Sequence, residues 1–245
     1  MAAAIVAAAF VGGIRESLLE RDDSRYVRAV ARRVVEEAHA TDDRARVIAL
    51  RDYLRTHVNA VGLPLEGRPF LRAGAADTLR SGKGYCGDVT RAFVVMADAV
   101  GIRAQRINLS GTAQHVVAEA HVGAREEVIV DASNPPAIVD LEPLFTVMRR
   151  PEFDDYYTLN LKRLRMTWLV THLKVDLGPL SSWTERPHAV SAFLCFLLAV
   201  LVAAAIGLRA LVRWLLHRRG WVHVSNQQAL AERGLVPVDS PPCST

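Results

Sequence analysis

Apolar positions along the chain follow three regimes in succession. From Ser24 the stretch SRYVRAVARRVVEEAHA sets Val27, Val30, Ala31, Val34 and Ala38 on one face at helical spacing. Asp43 suits the cap of a second helix whose inner positions are Val47, Leu50, Leu54 and Val58. Over 61–84 the period is lost, and Gly62, Pro64, Gly67, Pro69, Gly74, Gly82 and Gly84 predict a long loop. A third helix is expected from Tyr85 or Cys86, with Val89, Phe93, Met96 and Val100 inward and Gly101 as its stop. The period then becomes two. Strands are predicted over 103–109, 115–122 and 127–131, with a tight turn at Gly123. Helices followed by an antiparallel sheet predict an α+β domain over 24–140. Residues 141–186 read as an irregular extension with Pro143 and Pro151 and no clean period.

A fourth pattern is uniform rather than periodic. No charge occurs between Arg186 and Arg209, and residues 189–208 read AVSAFLCFLLAVLVAAAIGL. Twenty such residues at 1.5 Å rise match a hydrocarbon core of about 30 Å, so a transmembrane helix is expected over 187–212. Arg209, Arg213, Arg218 and Arg219 follow it, with Trp214 and Trp221 at interfacial spacing, whereas Lys174, Asp176, Glu185 and Arg186 cancel before it. That asymmetry predicts a cytoplasmic basic tail over 213–245 and an extracytoplasmic domain. Residues 1–14, MAAAIVAAAFVGGI, are also apolar, within an N-terminal segment of 23 residues. A signal anchor, the remnant of a signal peptide and a buried helix are all consistent with them, and a membrane segment is the preferred reading.

Composition sharpens this picture in two places. The chain has 245 residues, 51% hydrophobic, which excludes a disordered polypeptide and provides ample core. Its net charge of +4 divides unevenly: residues 209–245 contribute +3, so the domain itself is close to neutral and nucleic acid is not an expected partner. Only three cysteines occur, Cys86, Cys195 and Cys243, which excludes a disulfide-stapled scaffold. Cys195 falls in the apolar span and Cys243 in the tail.

Cys86 is the one placed for chemistry. It follows Gly82-Lys83-Gly84-Tyr85 at the expected start of a helix, where unpaired N–H groups and the positive dipole end favour thiolate. Downstream, QHVVAEAHVGAREEVIVD reads as a hairpin. With the turn centred on Gly123, facing residues sum to 246, so His115 opposes Asp131. A carboxylate beside an imidazole fixes its tautomer and leaves the other nitrogen for a nucleophile. Cys86, His115 and Asp131 are therefore the candidate nucleophile, base and orienting carboxylate. His121 shares the strand face but lies beside the turn and reads as a surface residue. Glu119 reads as an ordinary surface carboxylate, and Asp88 and Arg91 as residues serving the helix start and a solvated face.

The run Gly82-Lys83-Gly84-Tyr85-Cys86-Gly87-Asp88 precedes an apolar helix that ends in Gly101-Ile102-Arg103-Ala104. His115-x3-Glu119 and Val128-Ile129-Val130-Asp131 follow, with Asp77-Thr78-Leu79 upstream. Together they resemble the bacterial transglutaminase-like superfamily over about residues 43–135. The resemblance implies a papain-like core with the nucleophile on a helix and the His and Asp on neighbouring strands, in the roles given above. Three positions depart from the family pattern: Val117 and Glu127 replace tryptophans, and Ala132 replaces a proline. These departures leave the chemical groups in place and bear on the shape of the acyl-binding groove.

Other chemistries fit less well. SGKG at 81–84 lacks the earlier glycine and the following Ser/Thr of a phosphate loop. Cys86, His115 and His121 lack the spacing of a metal site, and no metal or cofactor is expected. The expected activity is thiol-dependent acyl transfer on peptide or protein amides or on a cell-envelope polymer, either to water or to an amine. The expected setting is the bacterial cytoplasmic membrane, with lipid as the other partner. A catalytically silent domain that binds an envelope polymer or scaffolds a membrane assembly is the alternative.

Overall fold

The computed structural model describes residues 2–61, 73–110, 114–123, 126–156, 178 and 180–219. The predicted turn residues Gly62, Pro64, Gly67 and Pro69, residues 157–177 of the expected 141–186 extension, Trp221 and Cys243 lie outside them. The chain divides into two compact units, Val11–Cys195 and Met1–Phe10 with Phe196–Thr245.

Helix α1 runs unbroken over Ala2–Glu37. The separate apolar segment and linker expected over 1–23 is therefore the first half of the same helix that carries Val27, Val30, Ala31 and Val34 into the core. No proline interrupts residues 2–37, and the paired glycines at 12–13 lower propensity without removing a backbone bond. Helix α2, Asp43–His57, is capped one residue earlier than predicted: Asp42 accepts from Ala45 N–H at 2.7 Å, satisfying a donor that the first turn leaves over. Its Val47, Leu50 and Leu54 are fully buried.

Within the predicted 61–84 loop the structure contains a helix, α3 at Ala75–Ser81. Asp77 at its third position accepts from Gly74 N–H at 2.8 Å, an acidic capping signal hidden among the glycines. Gly82, at φ +63°, ends it in the left-handed conformation that glycine adopts without a Cβ penalty.

Helix α4, Cys86–Ala99, is the central element, and from Val89 to Ala97 it is buried throughout. It stops at Gly101, φ +85°, as predicted. Strands β1 (Ala104–Ser110), β2 (Gln114–His121) and β3 (Glu127–Val130) form one antiparallel sheet in that order. Alternation sends Ala104, Ala118, Ala120, Val128 and Val130 into the core shared with α1, α2 and α4. Leu109, Val117 and Ile129 go to a second cluster with Ile138, Leu144, Met148 and Phe153. That cluster is closed by the short helices α5 (Leu144–Val147) and a 3-10 turn, Pro151–Tyr156. The predicted mixed helix and antiparallel sheet is thus present.

Two further helices complete the description: α6, Leu180–Thr184, and α7, Pro187–Arg218. Helix α7 is internal to the chain rather than terminal, and it continues past the predicted limit at 212, taking Arg213 and Arg218 onto its last turns. Among the described residues, α1 and α7 are long and apolar enough to cross a membrane, with mean hydropathies of 1.6 and 2.8 over their most apolar windows. Where α7 begins, Arg186 bonds to Ser24 and Glu20, and His188 Nδ1 lies 2.7 Å from Glu16. The acidic residues after the N-terminal apolar run are therefore partly committed to ion pairs.

Candidate active site

Cys86 occupies the first position of α4, and local sequence fixes it there from both sides. Asp88 accepts from Tyr85 N–H at 3.2 Å, closing the helix start as predicted. On the other side Asn59 pins the approach, with Asn59 N–H donating to Gly82 O at 2.8 Å and Gly84 N–H to Asn59 O at 3.1 Å. Gly84 is needed for this packing, since a Cβ there would stand 3.0 Å from the Asp88 Cβ and 3.2 Å from Thr78 Cγ2. The thiol is half-buried at the mouth of a groove of about 190 Å³. Val58, Tyr85, Val89, Ser133, Asn134 and Pro135 line it with Cys86 and His115.

The imidazole and carboxylate come together, but not by the predicted register. Partners across β2 and β3 sum to 248, as in Ala118↔Val130 and His121↔Glu127, so the turn is one residue longer in reach than supposed. A displacement of two keeps every side chain on its face, and His115 and Asp131 become diagonal rather than direct neighbours. His115 Nε2 lies 2.9 Å from Asp131 Oδ2, and the ring is hydrogen-bonded to the Cys86 thiol as well. With Nε2 engaged by the carboxylate, Nδ1 is the nitrogen left for the sulfur.

Asp131 is fully buried and its carboxylate is saturated by donors. Oδ2 accepts from Ala137 N–H at 2.7 Å and Ile138 N–H at 3.3 Å, and Oδ1 from Ser133 N–H at 3.1 Å. Its backbone is clamped too: Arg55 donates to Asp131 O at 2.6 and 3.0 Å, and Asp131 N–H donates to Asp140 Oδ2 at 3.2 Å. Arg55 and Asp140 pair with each other at 2.9 Å. Neither carried a signal in the sequence: Arg55 sits 76 and 85 residues from Asp131 and Asp140, and Asp140 reaches Asp131 across nine residues of irregular chain.

The electrostatics follow from this wiring. The Cys86 thiol is held below its ordinary pKa by its hydrogen bond to His115, against the opposing effect of burial. The His115 charge and the backbone amides of Val116 and Gly87 act in the same direction. Burial disfavours a charged His115, but the bonds to Asp131 and Cys86 and their charges override it and raise the ring to about 9. Burial likewise opposes an ionised Asp131, and His115 with the Ala137 and Ser133 amides more than compensates, so its pKa is lowered. All three shifts run in the direction that favours thiolate, imidazolium and carboxylate together.

Other sequence readings change. Glu119 is no surface group: it is buried, with Gln105 Nε2 donating to it at 2.9 Å. Arg91 is not on a solvated face but 4% exposed, donating to Ala73 O at 2.7 Å and to Glu185 at 3.2 Å. Glu185 also takes Arg106 at 2.7 Å, and Arg106 donates to Gly87 O at 2.6 Å, directly beside Cys86. His121 is half-buried, 3.5 Å from Glu127. Among the described residues no group of acidic, histidine and cysteine side chains is arranged to hold a metal. Of the three family departures, Val117 and Ala132 are buried in the two apolar clusters and Glu127 pairs with His121; none lines the groove.

Residues 28–132 match the family model of the Transglutaminase-like superfamily. Among solved structures, a candidate cysteine protease from Cytophaga hutchinsonii is 20% identical, covering 46% of this chain and 39% of that one, with a TM-score of 0.37. A candidate protease from Parabacteroides distasonis is 14% identical, covering 51% and 26%, with a TM-score of 0.38. The chain thus spans well under half the length of either. No curated protein matches.

Proposed function

We propose that the domain containing residues 28–132, which match the transglutaminase-like family model, performs thiol-dependent acyl transfer on amide substrates. Cys86 is the nucleophile, His115 the proton carrier and Asp131 its orienting partner. One observation carries this reading: Cys86, His115 and Asp131 form a continuous hydrogen-bonded chain whose thiol is shifted down and whose imidazole is shifted up to about 9.

The thiolate adds to the substrate carbonyl carbon, forming a C–S bond, and the oxyanion develops beside the positive end of the α4 dipole. Collapse breaks the C–N bond while His115 gives its proton to the departing amine. The acyl-enzyme then meets water or a primary amine. His115 takes a proton from that nucleophile, the C–S bond breaks and thiolate is restored. Asp131 keeps the ring in one orientation throughout and stabilises its charged form.

The apolar stretches of α1 and α7 support a membrane-bound protein, since only 11% of each most apolar window is covered by protein. The arginines after residue 208 support an extracytoplasmic domain, which makes envelope peptides and polymers the accessible substrates.

The test is intact-protein mass spectrometry of the full chain after exposure to peptide and envelope amides. An acyl adduct on Cys86, absent in Cys86→Ser and released by water or by an added amine, is expected. Absence of any adduct from a folded protein whose thiol is free would contradict the reading and favour a binding module instead.

A further inference from the structure

Several polar groups of the loop that follows β3 are engaged in holding the site together. Ser133 N–H, Ala137 N–H and Ile138 N–H serve the Asp131 carboxylate, and Asn134 Nδ2 donates to Arg55 O at 2.9 Å. The Ser133 hydroxyl is the exception. The residue is 9% exposed and its Oγ is buried without any hydrogen-bond partner. A buried hydroxyl left unpaired carries its desolvation cost uncompensated, and native structures rarely keep one without use. Ser133 lines the groove beside Cys86, two residues from the carboxylate that orients His115, and its neighbours Val58 and Val89 there offer no polar atom.

A peptide lying across Cys86 brings both an N–H and a C=O into such a groove, and a hydroxyl can satisfy either. Resting on the acyl-transfer reading, we propose that Ser133 Oγ hydrogen-bonds a main-chain amide of the acyl donor next to the bond under attack. Ser133 is then a specificity-determining residue for peptide amides. It contributes nothing to the reactivity of the thiol itself, because its hydroxyl hydrogen-bonds neither Cys86 nor His115.

Two thiol reagents separate these roles. Methyl methanethiosulfonate is small and carries no amide; N-acetyl-alanyl chloromethyl ketone presents a peptide amide beside its electrophilic carbon. Second-order rates of Cys86 modification are measured on the full chain and on Ser133→Ala, Ser133→Thr and Ser133→Val, with thermal unfolding alongside. Loss of one neutral hydrogen bond predicts that Ser133→Ala and Ser133→Val slow the chloromethyl ketone about 3- to 10-fold relative to the thiosulfonate. Ser133→Thr, which keeps the hydroxyl, should stay close to the native ratio. The near-isosteric Thr and Val pair carries the comparison if Ser133→Ala does not fold. An unchanged ratio in Ala and Val, even with altered unfolding, would overturn the proposal and make the hydroxyl structural. Equal losses in Thr and Val would overturn it as well. Failure of the acyl-transfer reading looks different: the unmodified protein would then react with the thiosulfonate no faster than free cysteine at neutral pH.

Discussion

The helix bearing Cys86 starts between two buried charge clusters that are built for different ends. On one side Arg91, Arg106 and Glu185 lock together, both carboxylate oxygens occupied and the guanidinium groups further tied to Ala73 O and Gly87 O. Arginine does not give up its proton at any ordinary pH, so this cluster has fixed charges and a fixed shape. On the other side Cys86, His115 and Asp131 are also joined by hydrogen bonds, but thiol and imidazole are both ionisable and their pKa values are displaced in opposite directions. That side opens onto a groove. Burial of charge is common to both; a mobile proton and access for a substrate belong to one.

The contrast is sharpest under mutation. Glu185→Ala removes the carboxylate that Arg91 and Arg106 share, with Arg91 keeping Asp88 at 3.2 Å, and should destabilise the domain by about 3 kcal/mol, read by urea unfolding. Replacing Arg106 and Glu185 together by Met and Leu should recover much of that loss, because the desolvation penalty goes with the charges. Asp131→Asn should do the reverse. Its effect on unfolding is the smaller one, while acylation of Cys86 should fall by about a hundredfold or more, since the amide cannot stabilise an imidazolium.

Changing pH separates the clusters without mutation. His115 is raised to about 9, so the stability it contributes is complete below its ordinary value near 6.5 and is lost as pH climbs through about 9. Acyl transfer should decline over the same alkaline limb as the proton donor disappears, and in Asp131→Asn that limb should move to lower pH. Asp131 has the opposite sign: its contribution is present above its ordinary pKa and fades as pH falls through the lowered one. The arginine cluster predicts no comparable alkaline transition below pH 10. The smallest expected effect is a control. Asp42→Ala removes the α2 cap bond and should cost about 1 kcal/mol of stability, leaving the rate of Cys86 alkylation unchanged.

What sequence could reveal follows the same division. The placement of Cys86 at a helix start and the nearness of His115 and Asp131, which share a strand face by parity, were legible. Parity survived even though the register did not: the hairpin sum of 248 rather than 246 moved the pair to a diagonal without turning either side chain away. The supporting shell was not legible. Arg55 meets Asp131 only after the chain has folded back on itself, Asp140 meets it through nine residues of irregular chain, and Arg91 looks like any helix-surface arginine until Glu185, 94 residues later, covers it. Helix α3 was hidden for a local reason, since its cap and its stop are both glycines and read as loop. Continuity of α1 was missed because a change from apolar to amphipathic composition resembles a boundary, although nothing in the backbone breaks there.

The pH profile of Cys86 alkylation in the native protein and in His115→Ala bears most directly on the paired thiol and imidazole. A thiolate that persists well below the ordinary thiol range in the native protein, and reverts to that range when His115 is removed, is the predicted result. Identical, ordinary thiol profiles in both proteins would contradict it.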